Sequence, residues 1–421
     1  MGIFNKNITY KIYSFLFLAL VVAFPIHDKL APPIISFIGI NWILEFNFRE
    51  KLRRIRSLGV SKYLLSFAIL YILYLVGTLY SSHLHSQSGA LFNLEVKMSL
   101  WVFPLLFTTI DFERFKPGFR SKMLYGFIVG CIISLILIFN KAVLSYFKGG
   151  STDAFYYVQL AYPQHPSYLA MFFTFAIAVL LTWIFVHFNE NTLKRNLAFL
   201  LILVFQLFIV MLSSKAGIVS VILLYLATII YTLFHGGSDR NNKLIISGFL
   251  VILFLVTVSF FPRSYSRFYS AESALENEPN VHSQDGSVAR VLVWQSALEI
   301  IREHPVFGVG TGDAEPELMK LYKQKNITLA IDETLNAHNQ YLQTTISLGI
   351  IGLLILVAYF ILPSLFAFRK KHLLYLLFLI IFAFNMLVES MLERQAGVVF
   401  YGLMNSFLFY FSYKGSGESG S

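Results

Sequence analysis

Charge is scarce in this chain: Asp, Glu, Lys and Arg make up 13% of 421 residues, against 57% hydrophobic ones. That leaves too little polar surface to cover a water-soluble globule of this size, so a soluble fold is excluded. Cysteine is nearly absent. The single Cys131 lies inside an apolar run, which rules out an intramolecular disulfide and leaves the redox compartment unmarked. No Asp-x-Asp pair occurs, so the metal-bound carboxylate signature common in enzymes using nucleotide sugars is missing. No small-residue cleavage site follows the first apolar run, Ile12 to Pro25, which therefore reads as a span and not as a signal peptide. No internal repeat is visible, which weighs against a transporter built from symmetric halves.

What the chain has instead is apolar sequence from end to end, with 43 Phe. The pattern predicts an all-α polytopic membrane protein of about twelve transmembrane helices. Nine fall in a membrane part, residues 1–260. A polar loop region follows at 261–346, then three last spans in 347–414, and 415–421 read as a linker or tag remnant. With the amino terminus in the cytoplasm, about 20 of the 33 basic residues lie inside, and the short outer loops keep Lys29, Lys97, Lys141, Lys148, Lys215 and Arg394. This loop bias predicts both termini in the cytoplasm and the 261–346 segment on the outer, periplasmic side. The net charge of +10 is then a matter of loop bias and anionic headgroups, with no call for nucleic acid.

The polar segment opens with Arg263 and Arg267, four apart, which would share one helix face at headgroup depth. Residues 271–287 lack apolar periodicity and read as a loop. From Val288 to Glu303, Val291, Trp294, Leu298 and Ile301 carry helical spacing, with Arg290 one turn before Trp294 on the same face, and His304-Pro305 ends the run. A second helix is predicted over Glu315 to Lys325, with its lysines solvated. A third segment, from about Leu335, is expected to run unbroken into the tenth span and to hold His338 a turn or two above the membrane.

Gly308-Val-Gly310-Thr-Gly312 lacks the strand, helix and βαβ setting of a nucleotide fingerprint, so it reads as a tight turn bringing backbone close to a helix or a ligand. His83-Leu-His85 shows no carboxylate or thiolate with which to hold a metal, and no metal or other cofactor is expected. His338, flanked by Asn336 and Asn339, offers an imidazole able to accept a proton from a sugar hydroxyl, and Arg290 a cation able to hold a departing diphosphate. Lys215, in Ser213-Ser-Lys-Ala-Gly217, is either a headgroup anchor or a second phosphate cation. Glu389, Glu393 and Arg394 are expected to pair among themselves and fix the last two helices. His165-Pro166 reads as a helix entry.

Arg290 with Trp294, Pro305-Val-Phe-Gly308-Val-Gly310, His338-Asn339 with Tyr341-Leu342, and Leu348-Gly349 with Gly352 together resemble the O-antigen ligase and O-antigen polymerase superfamily. The resemblance implies a metal-independent, inverting glycosyltransferase of the bacterial inner membrane. It implies an undecaprenyl-diphosphate-linked glycan as donor and the lipid A core as acceptor. By position, His338 resembles the histidine that activates the acceptor hydroxyl, and Arg290 the loop arginine that engages the diphosphate. Lys215 stands where a ligase usually has arginine, which keeps the charge and loses the bidentate fork. Arg263 and Arg267 are further candidates for the diphosphate, and Asn339, Trp294, Tyr341, His165, Glu389 and Arg394 candidates for support. A polymerase, a protein O-glycosyltransferase of the same superfamily and a lipid-linked polysaccharide transporter remain as alternatives.

Overall fold

The computed structural model describes residues 6–56, 59–85, 89–188, 192–261 and 279–415, and every regular element among them is helical. Nine described helices are long and apolar enough to cross a bilayer, and ten if the pair Asp28–Leu44 and Phe48–Arg56, bent by 104°, is one span. Two more of the expected twelve spans are present as helices but fall outside that test. Leu373–Val388 has only 16 residues, and Gln395–Gly415 carries Asn405, Ser406 and Ser412 buried among its own Phe and Tyr neighbours. Helices enclosed by other helices need neither the length nor the uniform apolarity that lipid contact demands. Lipid-facing surface is plain elsewhere: Phe15, Leu200, Ile245 and Phe249 are large, apolar and exposed. This is a multi-pass membrane protein.

The main core runs through these helices, with Phe24, Phe127, Phe172, Phe378 and Phe400 meeting ring to ring. A smaller core sits outside them. Gly286–Glu303, Ala314–Lys325 and Thr328–Asp332 pack Val293, Ala297, Leu318 and Tyr322 against Ile346, at the start of the long Gln340–Arg369 helix. The predicted helix from Val288 begins two residues earlier because Asp285 caps it, accepting from the amides of Ser287 and Val288.

The expected unbroken run from Leu335 into the membrane is interrupted twice. His338 has φ 44°, and the helix begins only at Gln340, capped by Asn339. At Gly349 the backbone leaves helical geometry, with φ 63° and ψ −162°. The glycine-rich turn causes the second break. Val309 and Gly310 donate their amides to Ile346 and Ser347 carbonyls at 2.8 and 3.0 Å, the positions that Ile350 and Ile351 would occupy in a continuous helix. The Ile350 amide turns to Pro305 instead, at 2.9 Å. Glycine is needed there, since a Cβ on Gly349 would stand 2.1 Å from the Val306 carbonyl oxygen. We expect Gly349→Ala to cost about 3 kcal/mol from the backbone conformation and the clash, read as a lowered melting temperature in detergent.

The turn is also tied on its other side. The Thr311 amide reaches the Gly77 carbonyl, and Asp313 accepts from the amides of Ser82 and His83. The His83 ring stands 2.7 Å from the same carboxylate. His83 therefore does meet a carboxylate, one 230 residues away in sequence, which local spacing does not reveal.

Candidate functional site

Asp285 starts the Gly286–Glu303 helix so that Ser287, Arg290, Val291 and Trp294, at helical spacing, share one face. The opposite face, with Ala289, Val293 and Ala297, is buried in the smaller core. The shared face lines a cavity of about 200 Å³. Across it stand Ser214 and Lys215, Phe384 and Val388 from Leu373–Val388, and Ser167. Ser214 caps the Lys215–His235 helix by accepting from Gly217, which sets Lys215 in the first turn and sends its Nζ to Ser287 Oγ at 2.7 Å. Lys215 and Arg290 thus line one cavity from the two sides.

The backbone around His338 is held by its neighbours. The His338 amide donates to Asn336, the Ala337 amide donates to Gln343, and the Ala337 carbonyl accepts from the Trp294 indole at 3.0 Å. The left-handed turn at His338 directs Nδ1 to within 3.0 Å of Glu389 Oε1. The other oxygen of Glu389 lies 3.9 Å from Arg290 Nη2. Glu389 is the first residue after the Leu373–Val388 helix and is 5% exposed. Burial works to raise its pKa, but His338 above all, then His165 and Arg290, hold the carboxyl down at about 2. Glu389 is therefore ionised at neutral pH and joins the imidazole to the guanidinium. His338 and Glu389 are not in the cavity wall; they connect to it through Arg290.

The glutamates do not pair as expected from their closeness in sequence. Glu389 turns to His338 and Arg290, whereas Glu393 meets Lys97 at 2.6 Å and Gln340 Nε2 at 3.1 Å. Lys97, expected among the outer-loop lysines, is wholly buried, with Asn93 and the ring of Tyr74 as its other partners. Three partners supply what water would otherwise give the ammonium group. Opposite charges in separate apolar stretches were the available signal, but sequence does not say which charge meets which. Gln340 was not singled out at all, although it also accepts from the Leu392 amide at 2.6 Å.

Of the remaining candidates, Asn339 is the helix cap, accepting from Leu342, and the Tyr341 hydroxyl donates to the Ala383 carbonyl. Both brace the helix that follows His338. Arg394 is exposed. Arg263 and Arg267 lie outside the described residues. Among the described residues no group of three or more His, Cys, Asp or Glu is placed to hold a metal ion.

His165 caps the Pro166–Val186 helix, its Nδ1 accepting from Ser167, and it joins the cluster electrostatically. Burial pushes its pKa down to about 4; Glu389 opposes this, and Arg394, His338 and Arg290 reinforce it. An ordinary histidine near 6.5 in the unfolded chain therefore takes up a proton before the folded one does. Stability should fall as pH drops from about 6.5 to about 4, by at most about 1.4 kcal/mol per pH unit, with no further loss from this group below that. In His165→Asn, which keeps a capping acceptor without the titration, the melting temperature should decline less steeply over that window. An unchanged slope would assign the acid sensitivity elsewhere.

Residues 197–357 match the family model described as O-antigen ligase, a region that holds Lys215, Arg290 and His338 but not His165, Lys97 or Glu389. The chain is also 23% identical over 175 residues to an uncharacterized protein of Haemophilus influenzae, covering 38% of this chain and 44% of that protein's length. The chain thus spans less than half the length of the curated relative it matches. Residues 197–357 are thus similar to the O-antigen ligase family, and they lie within an all-helical membrane architecture.

Proposed function

We propose that this protein is an O-antigen ligase, moving a glycan from undecaprenyl diphosphate to the lipid A core on the periplasmic face of the inner membrane. The observation that carries the reading is the convergence of Lys215 and Arg290 on one cavity, with Arg290 linked through ionised Glu389 to His338. The family match supports the class of reaction, a glycosyl transfer from a lipid-linked donor.

In the proposed step an acceptor hydroxyl gives its proton to His338 as its oxygen attacks the anomeric carbon. The bond from that carbon to the diphosphate oxygen breaks, and its electron pair leaves with undecaprenyl diphosphate, so the configuration inverts. Glu389 faces Nδ1, which leaves Nε2 to receive the proton. Arg290 and Lys215 offset the charge growing on the leaving group. The step calls for no nucleotide and no metal.

The test uses the purified full chain with undecaprenyl diphosphate glycan and lipid A core, without nucleotide or metal, following both lipids by gel mobility. Glycan on the lipid A core, with inverted anomeric configuration, supports the reading. Laddering of the donor alone would make the protein a polymerase. Movement of the lipid-linked glycan into sealed vesicles with no covalent product would make it a transporter.

A further inference from the structure

A second cavity lies at the other end of the same helices. Pro166–Val186 carries Ser167 at the candidate site and Val186 at this cavity, and Lys215–His235 carries Lys215 at the former and His235 at the latter. At 1.5 Å per residue, 21 residues separate the two places by about 30 Å, the depth of a bilayer core. The volume is about 880 Å³. Apolar side chains from six helices form much of its wall, among them Ile128, Leu180, Leu201, Tyr231, Leu374 and Leu408. Tyr125, Val129 and Leu197 line it while remaining exposed, so the cavity continues into the lipid-facing surface.

Arg120, Lys194, Lys243 and Lys371 also line it, and no Asp or Glu is among the described residues that do. An apolar slot open to the bilayer, with Arg120, Lys243 and Lys371 in its lining and no Asp or Glu among the described residues there, matches an anionic lipid in shape and in charge. We propose that this cavity binds an anionic glycerophospholipid of the surrounding membrane, its acyl chain between these helices and its phosphate among Arg120, Lys243 and Lys371. Basic pockets between transmembrane helices hold anionic headgroups in this way. The site is separate from the proposed transfer chemistry and does not depend on it.

Native mass spectrometry of the full chain, delipidated and then offered phosphatidylglycerol or phosphatidylcholine, tests the assignment. Retention of phosphatidylglycerol over phosphatidylcholine is expected. The triple change Arg120→Gln, Lys243→Gln, Lys371→Gln should weaken phosphatidylglycerol binding on the order of 100-fold. Leu201→Trp, which fills the slot and leaves the cations, should also displace the lipid. Equal retention of both lipids, or binding untouched by both variants in chains that still melt cooperatively, overturns the proposal. So does full competition by glycerol phosphate, which would make the site a phosphate site and not a lipid one. Undecaprenyl phosphate displacing phosphatidylglycerol at one tenth of its concentration would reassign the slot to a polyprenyl lipid.

Discussion

Replacing His338 by alanine is expected to slow glycan transfer by about 100-fold to 10,000-fold, the contribution of a positioned general base. Geometry is the reason for placing the loss here. The imidazole is fixed in a left-handed turn between Asn336 and Asn339, with Nδ1 against a buried carboxylate 3.0 Å away. The loss should fall on kcat, with KM for the lipid-linked donor little changed, because the imidazole acts in the transition state on the acceptor. Arg290→Ala should differ by affecting both, since a cation on the diphosphate holds the donor before the bond breaks as well as while it breaks. Single-turnover rates with saturating donor separate the two. A His338→Ala protein with more than about a tenth of wild-type kcat would remove the general base from the mechanism.

A second large effect is expected on stability. Lys97→Ala should destabilise the protein by about 3–5 kcal/mol, the usual result of removing one partner of a buried ion pair and leaving the other charge uncompensated. Glu393 would keep only Gln340 in place of the ammonium that now lies 2.6 Å from it. The pair joins the Ala90–Lys97 helix to the 391–393 turn, which Gln340 also holds through the Leu392 amide. Pairing Lys97→Met with Glu393→Gln removes both charges and should recover most of the loss. The measurement is the melting temperature of wild type, both single variants and the double variant in one detergent. Additive losses in the double variant would mean that the two residues do not stabilise the fold through each other.

How much of this was legible in advance differs by element. Helices within the polar segment were readable because their apolar residues recur at helical spacing: Val291, Trp294 and Ile301 mark Gly286–Glu303. The breaks at His338 and Gly349 were not, because the first depends on the side chains of Asn336, Gln343 and Trp294 and the second on hydrogen bonds from the glycine-rich turn. Lys215, Arg290 and His338 could each be singled out as polar groups in an apolar chain. That Lys215 and Arg290 face one cavity followed only when the Lys215–His235 and Gly286–Glu303 helices were set side by side. Glu389 was noticed but expected to pair nearby, since closeness in sequence was the available guide to its partner.

By itself the sequence determined that this chain belongs in a membrane, that its elements are helices and that a few polar residues stand out as candidates for chemistry. Each of these rests on local composition and periodicity. Tertiary structure alone decided the partners: Glu389 with His338 and Arg290, Glu393 with Lys97, Asp313 with His83, and Arg120, Lys194, Lys243 and Lys371 gathered in the lining of one cavity. A buried charge must find an opposite charge or a hydrogen bond wherever packing brings one within reach, and that distance is set in space and not along the chain.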